Sequence, residues 1–101
     1  MLAERAGIDR AQAYDVFCNS AVAAPMVGYR RDNHVDPDTA DVQFALTLAA
    51  KDLGLITTLA AAVGAFMPQG AVNRDTTLAA IDEGLGDQEM AAVAVYLRGR
   101  R

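Results

Sequence analysis

The sequence predicts an all-α domain of four or five helices, and three observations carry that prediction. Apolar residues recur at helical spacing through most of the chain. Residues that start and stop helices punctuate it at intervals. No stretch shows the sustained two-residue alternation of β-branched side chains that a strand needs.

Taken in order, MLAERAG (1–7) reads as the last turns of a helix closed by Gly7. IDRAQAYDVFCNSAVA (8–23) opens the next, with Asp9 as N-cap and Gln12 placed to complete a capping box. Its apolar face is expected from Ala13, Val16, Phe17 and Ser20. PMVGYRRDNHVDPD (25–38), with Gly28 and two prolines, reads as mostly irregular. It exceeds the usual connection of about 4–6 residues, a feature of functional or mobile loops. A long helix is predicted from Thr39 to Val63, capped by Asp38 and ended by Gly64. A proline-started helix follows from Pro68 to Glu83. GLGD (84–87) ends it, and Asp87 caps a last helix over Gln88 to Arg98.

At 101 residues and 52% hydrophobic composition, the chain is one ordered domain, residues 1–101, with no internal repeat or linker. A net charge of −4 argues against nucleic acid as a partner, because phosphate neutralisation needs clustered cations. The basic cluster Arg98, Arg100 and Arg101 reads as a solvated tail. One cysteine, Cys18, excludes an internal disulfide and fits a reducing, cytoplasmic setting; in its helical run it reads as a small buried hydrophobe. The N-terminus lacks the apolar segment of a secretory signal. The uncharged stretch 53–73 loses its apolar character after Met67 and is interrupted by Gly54, Gly64 and two threonines. It is read as a buried helix, with no membrane span.

Two apparent motifs dissolve on inspection. GLGDQE (84–89) contains G-x-G but lacks the third glycine and preceding strand of a dinucleotide fingerprint, so it reads as a helix stop. His34, the lone histidine, stands near Asp32 and Asp36 in the expected loop. One histidine among loop acids is a solvated residue, and no metal site is predicted. Nor is there a Ser-His-Asp set, a CxxC pair or a phosphate-cradling loop, so no catalytic residue is assigned within the chain.

The most informative stretch is FALTLAAKDLGL (44–55), which holds the only lysine. At about 100° per residue, Lys51 falls within the stripe of Phe44, Leu48 and Leu55, with Asp52 at its edge. Leu46 and Leu53 occupy the other side, so the helix is apolar nearly all round and needs covering on more than one face. A buried unpaired ammonium costs several kcal/mol. Three environments satisfy it: solvent or a carboxylate, a cleft with a polar or anionic ligand, or a partner subunit.

The string F-x-x-x-L-x-x-K-D-L-G-L, here Phe44, Leu48, Lys51, Asp52, Leu53, Gly54 and Leu55, resembles the β-hydroxyacid dehydrogenase family, which includes 3-hydroxyisobutyrate dehydrogenase. AERAGID is similar to that family's exit from its interdomain helix, VFCNS to the end of its next helix, and GLGDQEMAAVAVYLR to its closing turn and last helix. The likeness spans the chain but only the family's C-terminal part. It implies a 6-phosphogluconate dehydrogenase C-terminal-domain-like bundle. It further implies a nicotinamide cofactor, NAD or NADP, held mainly by an N-terminal Rossmann domain of the same polypeptide, and a small 2- or 3-hydroxy acid substrate. A homodimer or tetramer follows from the same likeness. Carried over by position, Lys51 is the cofactor contact, and Phe44 and Asp52 are substrate contacts. The Gly-rich fingerprint and the catalytic lysine segment are expected upstream of residue 1. The family's small-residue turn is replaced by Ala21–Ala24, and Gln43 stands for the glycine before the phenylalanine. The rival reading is a stand-alone, non-enzymatic dimerisation module.

Overall fold

The computed structural model describes residues 1–37 and 39–100. Among these described residues, seven α-helices fold in the order α1 (Leu2–Arg5), α2 (Arg10–Cys18), α3 (Pro25–Tyr29), α4 (Arg31–Val35), α5 (Leu46–Val63), α6 (Pro68–Ala80) and α7 (Ala92–Arg98), with a π-helical turn over Ile81–Leu85. Among the described residues there is no strand, only one isolated antiparallel bridge between Ala45 and Glu89.

Local chemistry sets several boundaries. Asp9 caps α2, its Oδ1 accepting from the Gln12 backbone N–H at 3.0 Å. Gly64 closes α5 in the left-handed conformation, φ +69°, which costs glycine nothing. Pro68 starts α6, where its missing N–H would have had no partner. Gly84, at φ +89°, breaks the turn after α6, so GLGD is the stop its sequence promised. Gly86 makes a close approach: a Cβ there would meet Thr47 Cγ2 at 3.1 Å, so the threonine would have to shift by a few tenths of an ångström.

Other expectations are corrected. The segment 25–38 is not mostly irregular; Pro25 starts α3 and α4 follows directly. The long helix begins at Leu46, not Thr39, and its expected cap, Asp38, lies outside the described residues. The last helix begins at Ala92 without the Asp87 cap. On α2 the expected apolar face is turned outward, with Val16 and Phe17 exposed. The inward face instead carries Tyr14, whose hydroxyl donates to the Val27 carbonyl at 3.0 Å, and a half-buried Cys18. His34 is not a solvated loop residue either. It lies on α4, half-buried, stacked on the Tyr14 ring at 5.3 Å between centroids.

The helices associate in two groups, α1–α4 and α5–α7. Between them run polar ties. The Glu4 carboxylate receives Arg10 of α2 at 2.8 Å and Arg98 of α7 at 3.0 Å. Asn33, buried on α4, donates to the Asp41 carbonyl at 3.0 Å, fixing the approach to α5. The buried apolar set is small: Leu46, at 1% exposure, is its one large member, and the rest are alanines, Ala60, Ala80, Ala91 and Ala92. Alanine lets helices approach closely but buries little area.

The consequence falls on α5. It was expected to be a buried helix, yet only Leu46 and Ala60 are buried within it. Leu48, Leu55, Ile56, Leu59 and Val63 are exposed, and Phe66 beyond it is 93% exposed. By length and composition α5 is apolar enough to cross a membrane. Contiguous exposed apolar surface of this kind marks an interaction face.

Three groups with lowered pKa values make stability depend on pH below neutrality: His34, and the carboxyls of Glu4 and of Asp15, the latter held down by its hydrogen bonds from Arg31. Burial lowers the His34 pKa below its ordinary 6.5. The depressed value means the unfolded chain takes up the proton first, so this contribution is whole above 6.5 and lost as pH falls below it. In the 101-residue chain the N-terminal ammonium, then Arg98 and Arg10, hold the Glu4 carboxyl at about 2 against an ordinary 4.5. Its contribution is whole above 4.5 and lost as pH falls towards 2. Urea midpoints measured from pH 8 to pH 2 are therefore expected to drop in two steps. His34→Phe should remove the upper step, and an unchanged upper step would exclude His34 as its source.

Candidate functional site

The site residues follow from how α5 begins. Glu89, 4% exposed, sits between the two helix groups. Its Oε2 accepts the backbone N–H of Gln43 at 2.7 Å and of Phe44 at 2.9 Å. Its Oε1 pairs with the Arg30 guanidinium from the junction of α3 and α4. Backbone bonds flank it: Leu46 N–H to the Gln88 carbonyl at 2.8 Å, Thr47 N–H to Gly86 at 3.0 Å, and Met90 N–H to Phe44 at 2.8 Å. A carboxylate accepting several N–H groups and a guanidinium is a strong, charge-assisted junction. It holds the chain extended at Ala45, φ −64° and ψ 147°, before the helix starts.

Phe44 therefore lies outside α5, not on its stripe. It is half-buried and fixed by its own backbone at both N–H and carbonyl. Lys51 and Asp52 are on the helix and pair at 3.2 Å, with the lysine side chain 62% exposed. The ammonium is thus in water, and the desolvation raised by its apolar neighbours does not arise. Adjacent helical residues diverge around the axis, and exposed pairs are worth about 0–1 kcal/mol, so Asp52 leaves the lysine available.

Lys51 lines an open groove of about 550 Å³ between α5 and α6, with Gly54, Leu55, Thr58 and Arg74 among its walls. Arg74 Nε lies 3.9 Å from the position of a Cβ at Gly54, so the guanidinium packs beside the α5 backbone, one turn from Lys51. Neither Phe44 nor Asp52 lines this groove. Among the described residues no cluster of three metal-ligating side chains occurs.

Residues 1–97 match the family model described as NAD-binding of NADP-dependent 3-hydroxyisobutyrate dehydrogenase. The chain belongs to this family. Two solved structures of its members share the fold. A 3-hydroxyisobutyrate dehydrogenase from Salmonella typhimurium is 29% identical, with TM-score 0.79, over 93% of this chain and 33% of that one. The 3-hydroxyisobutyrate dehydrogenase of Mycobacterium tuberculosis, solved with L-serine, is 25% identical, with TM-score 0.74, over 96% and 35%. The chain thus spans about a third of the length of these relatives. No curated protein sequence matches it.

The residues present fit one flank of the family's dinucleotide. Two cations, the Thr58 hydroxyl and an apolar wall of Leu55 and Ala61 suit a ligand that is anionic in part and planar in part. A Gly-rich phosphate cradle is not among them, so the chain can border such a ligand but not enclose it. Sequence reading missed Glu89, Arg30 and Arg74. Glu89 left one trace, an acid directly ahead of the apolar run MAAVAVYL. Arg30 and Arg74 left none, because their roles depend on which helices meet.

Proposed function

We propose that this chain is the helical part of an NAD(P)-dependent oxidoreductase that moves a hydride between the nicotinamide and a small 2- or 3-hydroxy acid. The carrying observation is the family match over residues 1–97 combined with a groove lined by the KDL lysine, Lys51, whose side chain is mostly exposed. In this reading the cofactor supplies the hydride chemistry. Lys51 contacts the cofactor from the helical side, Phe44 faces the substrate from a backbone pinned by Glu89, and Asp52, paired with Lys51, is the second substrate contact.

A dinucleotide-binding domain of the same polypeptide covers the exposed face of α5, and a second copy covers more of it. Support comes from the apolar surface around Leu55, Leu59 and Phe66 and from the threefold greater length of the related structures. Family membership favours protein over lipid as the cover of this apolar helix, with the enzyme cytoplasmic.

The test compares two polypeptides against a panel of 2- and 3-hydroxy acids with NAD and NADP. One is these 101 residues; the other includes the coding sequence upstream of Met1. Reduction of cofactor is expected only from the longer one. Turnover by the 101 residues alone, or an upstream sequence without a strand–G-x-G-x-x-G–helix unit, would overturn the proposal in favour of a non-enzymatic interaction module.

A further inference from the structure

Among the described residues, most basic side chains are committed. Arg10 and Arg98 pair with Glu4, Arg30 with Glu89, Arg31 with Asp15 at 2.8 Å, and Arg100 with Glu83. Arg5 donates to the Arg100 carbonyl at 3.1 Å. Among the described residues, Lys51 and Arg74 are the two whose only carboxylate is the next residue in the chain, Asp52 at 3.2 Å and Asp75 at 3.9 Å. Both pairs are exposed and sequence-adjacent on a helix, the weakest arrangement for holding a cation.

These two uncommitted cations come from different helices and line one groove. A chain of net charge −4 has carboxylates enough to neutralise them, yet among the described residues the fold brings no acid from another element within 4 Å of either. Like charges bordering one cavity repel unless an anion lies between them. The pair also has complementary chemistry. Arg74 offers a planar fork of N–H donors that matches two oxygens of a tetrahedral anion, while Lys51 offers a mobile point charge. The Thr58 hydroxyl on the same wall adds a donor. Gly54 places the guanidinium beside the α5 backbone: Arg74 Nε is 3.9 Å from where a Cβ would stand, an ordinary contact distance.

We infer that the α5–α6 groove binds a phosphoryl group, with Arg74 as its second cationic contact beside Lys51. The inference deepens the functional reading above by assigning Arg74 and a ligand chemistry to the groove. Its identification of the phosphoryl group with the cofactor rests on that reading, but the binding itself does not.

The experiment is a titration of the 101-residue chain with inorganic pyrophosphate, followed by backbone amide shifts at constant ionic strength. Saturable shifts are expected at Gly54, Leu55, Thr58 and Arg74. Arg74→Gln is expected to weaken binding by about tenfold, as removal of a charge-assisted partner does, while Arg31→Gln, distant and paired with Asp15, leaves it unchanged. A non-saturating response, shifts elsewhere, or equal loss in both variants would overturn the proposal as diffuse electrostatics. Parallel titrations with NADP and with 3-hydroxyisobutyrate separate the sources. Competition of NADP with pyrophosphate places the cofactor's phosphate in the groove. Competition by the hydroxy acid instead would overturn the phosphoryl assignment. Because no turnover is measured, failure here is distinguishable from failure of the oxidoreductase reading.

Discussion

Glu89→Gln is expected to destabilise the chain by about 3–5 kcal/mol, the range found when one partner of a buried ion pair is removed. The geometry explains why so small a change would matter. One carboxylate oxygen accepts two backbone N–H groups and the other receives Arg30. An amide has only one acceptor oxygen, so its NH₂ must face either the Gln43 and Phe44 donors or the guanidinium. Either way donors confront donors in a site 4% exposed, and Arg30 keeps a buried charge with no counter-charge. For a chain of about 100 residues each kcal/mol moves the melting temperature by roughly 4–8 °C, so the loss is readily seen by thermal or urea unfolding. The double variant Arg30→Met, Glu89→Gln should recover part of it, because the stranded charge is gone. Full recovery is not expected, since the two N–H groups are still less well served. A loss below about 1 kcal/mol in the single variant would mean that water reaches the junction, contrary to its burial.

This junction also explains where the sequence is legible. Boundaries set by local chemistry, the Asp9 cap, the Gly64 and Gly84 stops and the Pro68 start, are readable because cause and effect lie within one turn. The start of α5 is not. Thr39 to Ala45 continues an apolar helical pattern, but the amides of Gln43 and Phe44 are claimed by a carboxylate 45 and 46 residues away. No window of sequence contains that competition. The same reason places Phe44 off the helical stripe on which periodicity had set it. Helix α3 could have been found, since Pro25 carried the same signal as Pro68, yet Gly28 and the polar residues after it read more strongly as loop. The outward turn of Val16 and Phe17 has a different cause. Periodicity identifies an apolar face but not which neighbour covers it, and here the described chain does not. For the candidate site, Lys51 was legible as an oddity of composition. Its actual environment, solvent and a groove shared with Arg74, required α6 in place.

Lys51→Ala, made in the polypeptide that carries the dinucleotide-binding domain, is expected to weaken NAD(P) binding at least tenfold, about 1.4 kcal/mol. The variant is informative because the lysine contributes so little to the fold. Its side chain is 62% exposed and its one partner is the adjacent, half-exposed Asp52. Alanine is at least as good a helix former, so thermal stability should stay within about 0.5 kcal/mol of the parent, as for surface substitutions generally. Loss of cofactor affinity with melting unchanged then reports a contact, whereas loss of both would report damage to α5. The lost affinity should shrink as salt rises, because an exposed ammonium acts over a Debye length of about 10 Å at 0.1 M. Lys51→Arg should restore part of it by returning the charge with different donor geometry. Asp52→Asn, which frees the ammonium, should not weaken cofactor binding, though it should raise the KM for substrate if Asp52 borders the substrate as proposed. If Lys51→Ala changes cofactor affinity by less than about twofold, its lysine is a solvated surface charge. The groove beside Arg74 would then need another explanation.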